Sequence, residues 1–505
     1  MRIRSPHLIR LILGSILLFQ AITHLTWLSI SAHSGQVAIP YLLNQGLSLF
    51  DTVWEQHAPG TSLIMTLAQR VLPLEPITLA RLLNLVVVGA ITLLVYRIAS
   101  TLVNNSPMAG IAAALFWAWW EPVYGTVLFY FDTLLGLCVC VALLIWVEQG
   151  KRRPFAAAFG AGLWMGLATL MKQHAWAALI LFGLYLFWES PSEGGRDESG
   201  TQKSGYLRRA GYWVGALLPP LVLIGVVGLQ GNLERYLYWN WGFNFSGLME
   251  NAPLTGDFVR KLTLSNLFAA PLGLLMFRRA APKRLWILLF LLWASTTLTL
   301  IPRFNHFHAM AHLPFAAIIA GVVVGTLVGE TNKPASHWIS NLPHTLTRDL
   351  VLIGLLLAVG AAIFGTGIVV YIPNVLGRAA IPAYDEFDLL ARRLSALSAP
   401  GDRLFVLPET DSTPNLHVIT GLLPPRTWIK GWRWYLEAPG VIDHLLTEWA
   451  QSPPDWVIVF PDLMAESQPE IGSLYQWVIT HCEMVETIKG VVFHGDAVIY
   501  RLQKP

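Results

Sequence analysis

The chain has 505 residues, 54% of them hydrophobic and only 13% charged, with a formal net charge of +3. A mean hydropathy of +0.52 excludes an ordinary soluble globular protein and reads as a polytopic membrane protein. So small a net charge provides no footprint for nucleic acid. The three cysteines, Cys138 and Cys140 in one apolar run and Cys482 far from it, form neither a disulfide framework nor a cysteine metal motif.

A spanning helix needs about 20 mainly apolar residues. About eleven such runs precede residue 373, starting near Leu8, Ile77, Met108, Phe129, Phe155, Gln173, Gly211, Leu262, Leu285, His308 and Asp349. The first, residues 8–31, follows Arg2 and Arg4. It is longer than a secretory h-region and lacks a small-residue cleavage pattern, so it is expected as a retained helix. The basic groups Lys151, Arg152 and Arg153, then Arg208 and Arg209, then Arg278, Arg279, Lys283 and Arg284 fall in alternate loops on the side of the N terminus. Positive-inside bias makes that side cytoplasmic. The loop holding Asp51, the loop 231–261, the turn around Arg303 and everything after Tyr371 then face outward. Residues 189–204, ESPSEGGRDESGTQKS, read as a polar cytoplasmic linker.

From about Ala383 charges return and short β-rich runs appear, so the chain divides into a transmembrane domain, 1–372, and an extracytoplasmic α/β domain, 373–505. In the latter, 387–397 and 441–449 have helical periodicity, as does the shorter 474–479. RLFVL, LHVIT, WVIVF and VVFHGDAVIYRL read as strands. No nucleophile elbow or phosphate loop is visible there, which favours gating or partner contact over independent catalysis.

Chemistry concentrates at the outer boundary. The segment DTVWEQHAPG, residues 51–60, carries Asp51, Glu55 and His57 about twenty residues after the first apolar run. Asp51 can remove a proton from an acceptor hydroxyl, or it can be a hydrated loop carboxylate. Glu55, at i+4 spacing, can share its site or pair with a cation, and His57 precedes an Ala-Pro-Gly bend. Asp132 opens a helix after Phe129, Tyr130 and Phe131, where a carboxylate either acts in catalysis or stabilises the helix start. Glu121, beside Trp119, Trp120 and Pro122, stands where an ionisable group needs a partner or a water-lined cavity, or marks the aromatic interface. Arg81, Lys172, Gln173 and Arg303 lie at the outward boundary, where the cations can neutralise a phosphate or snorkel to headgroups. His306 and His308 follow Arg303, with His312 on the same helical face as His308. Glu55 and His57, joined by these histidines and Asp51, are the residues that would take a divalent metal, although their spacing is no metal motif. The loop 236–245, YLYWNWGFNF, offers aromatic faces to a sugar or to the membrane interface.

The order of these segments resembles the GT-C membrane glycosyltransferases, specifically the bacterial relatives of protein O-mannosyltransferases and of the lipid A aminoarabinose transferase. GLSLFDTVWEQHAPGTSL is similar to their first outer loop, and ITLARLLNLVVVGAITLLVYRIA to the next helix with its early arginine. FYFDTLLGLCVCVALLIW is similar to the segment whose second acidic residue opens a helix, GLWMGLATLMKQHAW to the GLA-x-L-x-K element, and RFNHFHAMAHLP to the late arginine and histidine turn. The chain departs from the pattern at His57-Ala58-Pro59-Gly60, where many relatives have two prolines. The resemblance implies an inverting transferase of the plasma membrane. It would move a hexosyl or pentosyl group from a polyprenyl-phosphate donor to a lipid, glycan or protein acceptor on the outer face, with no certain cofactor. Asp51 would be the general base or acceptor-orienting group and Asp132 the second carboxylate. Arg81, Lys172 and Arg303 would hold the donor phosphate, with His57, Gln173, His306 and His308 as further substrate contacts. Two other classes fit a polytopic chain: a transporter or flippase for a lipid-linked glycan, and a non-catalytic envelope-assembly protein. The clustering of charge at one face, rather than at mid-membrane in duplicated halves, favours the transferase.

Overall fold

A computed structural model of the chain describes residues 5–26, 37–124, 129–188, 203–248, 253–269, 283–301, 303–327, 387–408, 413–464, 469–491 and 495–503. The expected span near Asp349, Arg278, Arg279 and most of the 189–204 linker lie outside them. The chain forms two compact units: Met1–Trp27 with Leu83–Leu223 and Asn251–Ala379, and Leu28–Leu82 with Ile224–Glu250 and Ala380–Pro505.

Among the described residues, five helices are long and apolar enough to cross a membrane: Pro6–Thr26, Pro76–Leu102, Phe131–Gln149, Pro154–Met171 and Gly205–Leu229. Shorter apolar helices run over Ala175–Trp188, Arg284–Leu300 and Leu313–Thr326. Proline is the first residue of the helices Pro6–Thr26, Pro76–Leu102, Pro107–Tyr124 and Pro154–Met171. Its fixed φ suits a first turn that has no use for its N–H. Apolar length places most of the described helix starts within two residues, and the run expected from Leu262 lies mostly in 270–282, outside the described residues. Just before it stands the ten-residue helix Gly256–Ser265, in which Asp257 pairs with Arg260 and Lys261.

Within the first unit, small residues let helix backbones meet, as membrane packing requires. A Cβ on Gly162 would stand 2.1 Å from the carbonyl oxygen of Tyr212, and one on Gly321 would stand 2.4 Å from that of Ala109. Three helices also share a buried polar layer. Thr92 Oγ1 donates to Gln20 Oε1 at 2.7 Å, His24 Nε2 lies 3.0 Å from Glu121 Oε2, and Asn84 Nδ2 lies 3.4 Å from His24 Nδ1. Glu121 is 1% exposed and, paired with His24, has the partner that an ionisable group beside a span needs. Arg208 and Arg209 donate to the carbonyls of Leu186 and Phe187, capping the Ala175–Trp188 helix where its dipole favours cations.

The second unit contains a mixed four-stranded sheet in the order Leu404–Leu407, Trp456–Val459, Gly495–Leu502, Cys482–Val491. The first pair is parallel, with Phe405 opposite Val457, and the remaining pairs are antiparallel, with Ile458 opposite Ile499. Side chains alternate across a strand, so this sheet has two cores. Phe405, Leu407, Val457 and Val459 pack with Trp449, Leu474 and Val478, while Leu404, Val406, Trp456 and Ile458 pack with Phe387, Leu390 and Leu394.

LHVIT is not a strand. It lies in the helix Asn415–Thr420, preceded by Pro414 and closed by Gly421 at φ +74°, and these end signals outweigh the weak β propensity of one Val and one Ile. A separate parallel pair joins Val53–Trp54 to Trp428–Ile429. The aromatic run expected as a loop is helical, over Leu233–Leu237, Tyr238–Gly242 and Phe243–Phe245, and Trp239 and Phe243 are core residues.

Candidate active site

In the first unit, three elements bring Asp132, Lys172 and His308 together. Asp132 is the second residue of the Phe131–Gln149 helix and fully buried, and Lys172 follows the last turn of Pro154–Met171. His308 lies in the 3-10 turn His306–Ala311. Lys172 Nζ donates to Asp132 Oδ1 at 2.8 Å and Oδ2 at 2.9 Å. His308 Nδ1 lies 2.8 Å from Lys172 Nζ and 2.9 Å from Asp132 Oδ2. The close approach depends on Gly136, one turn beyond Asp132. A Cβ there would sit 3.2 Å from the Met310 carbonyl oxygen and 3.4 Å from that of Ala311, and hydrogen at this position lets the turn settle against the helix.

Burial, then the Lys172 ammonium with Arg303 adding in the same direction, holds the His308 imidazole down to about 4 despite Asp132. The neutral ring accepts from Lys172. A buried lysine and carboxylate are costly to desolvate and so point to function when they sit beside a second cation. Lys172 also lies 5.2 Å over the Phe131 ring, and the Thr299 hydroxyl fixes the His308 carbonyl at 2.9 Å.

In the second unit, Asp51 occupies a tight turn. The carbonyl of Ser48 accepts the N–H groups of Asp51, Thr52 and Val53 at 2.9 to 3.3 Å, and Phe50 adopts φ +65°, a region that non-glycine residues seldom visit. The Asp51 carboxylate is half exposed and pairs with Arg235, Oδ1 to Nη1 at 2.9 Å. Its carbonyl accepts from Arg235 at 3.1 Å and from the Trp54 indole at 2.9 Å.

Glu55 does not share this site, because the intervening residues form a strand rather than a helical turn. It points into the unit, 3% exposed, accepting from His57 Nδ1 and, at 3.3 Å, from the Tyr435 hydroxyl. Burial alone would raise its pKa, but His57 and then Lys430 bring it down to about 2. Arg235, Lys430 and Tyr435 were missed from the sequence. Nothing local marks them, since their partners stand some two hundred residues away or more.

Arg81 stands in the opening turns of the Pro76–Leu102 helix, where Glu75 caps the N–H groups of Ile77 and Thr78. Its Nε is buried with no hydrogen-bond partner among the described residues. Gln173 is half-buried in the turn between two helices, its carbonyl accepting from Trp176 N at 3.1 Å.

The histidines near Arg303 do not converge, because a 3-10 turn replaces the expected continuous helix. Only His308 joins Asp132. The His306 ring lies 5.3 Å from Phe258 and 6.4 Å from Tyr124, and His312 Nε2 faces Asn266 at 3.4 Å. Among the described residues no group of three or more His, Cys, Asp or Glu is arranged to hold a metal ion. Glu55 and His57 are engaged with each other beside a lysine, which is not the open, anionic face a divalent cation needs, so no step is routed through a metal.

Residues 56–194 match the family model described as dolichyl-phosphate-mannose-protein mannosyltransferase, a segment that holds His57, Arg81, Glu121, Asp132, Lys172 and Gln173. No curated protein sequence matches the chain. Among solved structures, ArnT from Cupriavidus metallidurans bound to undecaprenyl phosphate aligns with a TM-score of 0.57 at 13% identity, covering 98% of this chain and 98% of that one. The archaeal oligosaccharyltransferase AglB from Archaeoglobus fulgidus, in complex with an inhibitory peptide and a dolichol-phosphate, aligns with a TM-score of 0.54 at 10% identity, covering 88% of this chain and 69% of that one. At such identities the likeness is one of fold. The chain shares the fold of these two proteins.

Proposed function

We propose that this chain is a membrane glycosyltransferase that moves a monosaccharide from a polyprenyl-phosphate donor to an acceptor hydroxyl at the outer face. The observation that carries the reading is the buried Lys172–Asp132–His308 cluster with Arg303 beside it, in a chain whose fold matches a protein bound to undecaprenyl phosphate. In the reaction, the acceptor oxygen attacks the anomeric carbon while the bond from that carbon to the phosphate oxygen breaks. The lipid phosphate leaves with the electron pair, and the acceptor proton passes to Asp51. Charge grows on the phosphate as it departs, so fixed cations stabilise the transition state more than the ground state. Lys172 and Arg303 fill that role, with Arg81 and the neutral His308 as further contacts and Asp132 holding Lys172 in place. Gln173, His306 and His57 are proposed as outer contacts to the donor or acceptor. The isoprenoid tail would lie along apolar helix faces.

The test follows consumption of radiolabelled undecaprenyl-phosphate sugars, offered as a panel, by the full chain in envelope membranes. Asp51→Asn should lower kcat by ~10² or more. Lys172→Met should lower kcat/KM by ~10² or more, with both variants inserting normally. Wild-type rates in Asp51→Asn would remove the base assignment, and wild-type rates in Lys172→Met would remove the phosphate cluster.

A further inference from the structure

Residues 48–57 contain only a two-residue strand of their own, yet they hold Asp51 in a single position. We infer that Lys430 is a positioning residue for the Asp51 loop, making the segment 428–435 a requirement for transfer as well as for stability. This rests on the reading of Asp51 as the base.

Two connections support it, both inside the second unit. The first is backbone: Val53 pairs with Trp428 and Trp54 with Ile429, and the Trp428 N–H donates to the Thr52 carbonyl at 2.7 Å. The Trp54 indole then reaches back to the carbonyl of Asp51. The second is electrostatic. Lys430 follows Ile429 and Glu55 follows Trp54, so the register of the pair brings the two next to one another; Lys430 is 1% exposed, lies 3.3 Å over the Trp432 ring, and after His57 its charge favours the ionised Glu55 carboxylate. Glu55 follows Trp54 directly, so whatever holds its side chain inside the unit holds the end of the loop. Tyr435 adds its hydroxyl, and Asn240 and Asn244 donate to the carbonyls of Glu55 and Gln56 at 3.4 and 3.1 Å.

Removing a buried cation from beside a buried carboxylate withdraws part of that carboxylate's compensation, even though His57 and the Tyr435 hydroxyl still bond Glu55. With methionine at position 430, the Glu55 carboxylate would shift toward water and strain the pairing of residues 53–54 with the Trp428–Ile429 strand, displacing Asp51. A displacement of about 1 Å at a reacting group costs ~10²-fold in rate.

Lys430→Met in the full chain should therefore lower kcat by roughly 10- to 100-fold. Its Kd for undecaprenyl phosphate should stay within about twofold of wild type, because Lys172, Arg303 and His308 are untouched, and loss of fold would move both quantities. Lys430→Arg should keep most of the activity, and Glu55→Gln combined with Lys430→Met should recover part of what the single change loses. Should Lys430→Met not accumulate, Tyr435→Phe provides the same reading, with kcat down about fivefold and Kd unchanged. Wild-type kcat in Lys430→Met, or in Tyr435→Phe where that variant stands in, while Asp51→Asn is inactive would overturn the positioning role and leave the base assignment intact. So would a double variant no better than the single. An active Asp51→Asn would remove both.

Discussion

A single imidazole nitrogen is shared between Lys172 and Asp132, and the chemistry of that contact depends on its proton. Burial and the neighbouring cations hold His308 at about 4, below the ordinary 6.5. A group whose folded value is depressed contributes stability that is complete above its unfolded value and is lost as the pH falls toward the folded one. The melting temperature of the detergent-solubilised protein should therefore fall between pH 6.5 and 4, and His308→Gln should make that fall smaller, the remainder belonging to His312 and His417, which burial also holds at about 4. A wild-type curve already level across this range would contradict the assignment. Glu55, drawn down from 4.5 to about 2, loses its contribution only at lower pH, so the two transitions separate. At this scale polar residues at the edges of apolar runs were legible in the sequence: Asp132 at the start of one, Lys172 at the end of another, and Arg303 and His308 in the polar turn between two. Arg235 and Lys430 were not, since a cation in a polar or aromatic stretch carries no signal of the carboxylate it meets.

The elements were legible where a local rule decides them. Apolar length marks the spans, and a leading proline marks four of the starts. Local rules failed where short segments take their shape from what they pack on. LHVIT became a helix between Pro414 and Gly421, and the 306–311 segment became a 3-10 turn against the Phe131–Gln149 helix. Gly136 sets the fit of that turn, and its role can be measured. Gly136→Ala requires the Met310 and Ala311 carbonyls to give by only a few tenths of an ångström, with a modest loss. Gly136→Leu must part the two elements, at about 1–3 kcal/mol of stability. Since His308 would leave Asp132 and Lys172, kcat/KM for the labelled donor should fall by at least tenfold, roughly the effect of 1.4 kcal/mol. A Gly136→Leu protein with wild-type kcat/KM would show that the contact is dispensable.

Across the whole molecule, the proposed orientation places residue 48 outside and residue 151 in the cytoplasm. Single cysteines at Ser48 and Lys151, treated in intact cells with a membrane-impermeant maleimide, should react at position 48 only, since the native Cys138, Cys140 and Cys482 are buried. Labelling of both, or of position 151 alone, would reverse the topology. By itself the sequence determined that the chain lives in a membrane, where most of its described helices begin, and which polar side chains have to be explained. Hydrophobic length, proline and isolated charge are local quantities, readable within one or two turns. Only the tertiary structure decided that Lys172 donates to both Asp132 and His308, that Glu121 is a buried partner of His24, and that the Asp51 loop is paired with a strand from residues 428–429. Each of these is a contact between distant segments, set by how backbones pack and by the cost of leaving a buried charge uncompensated.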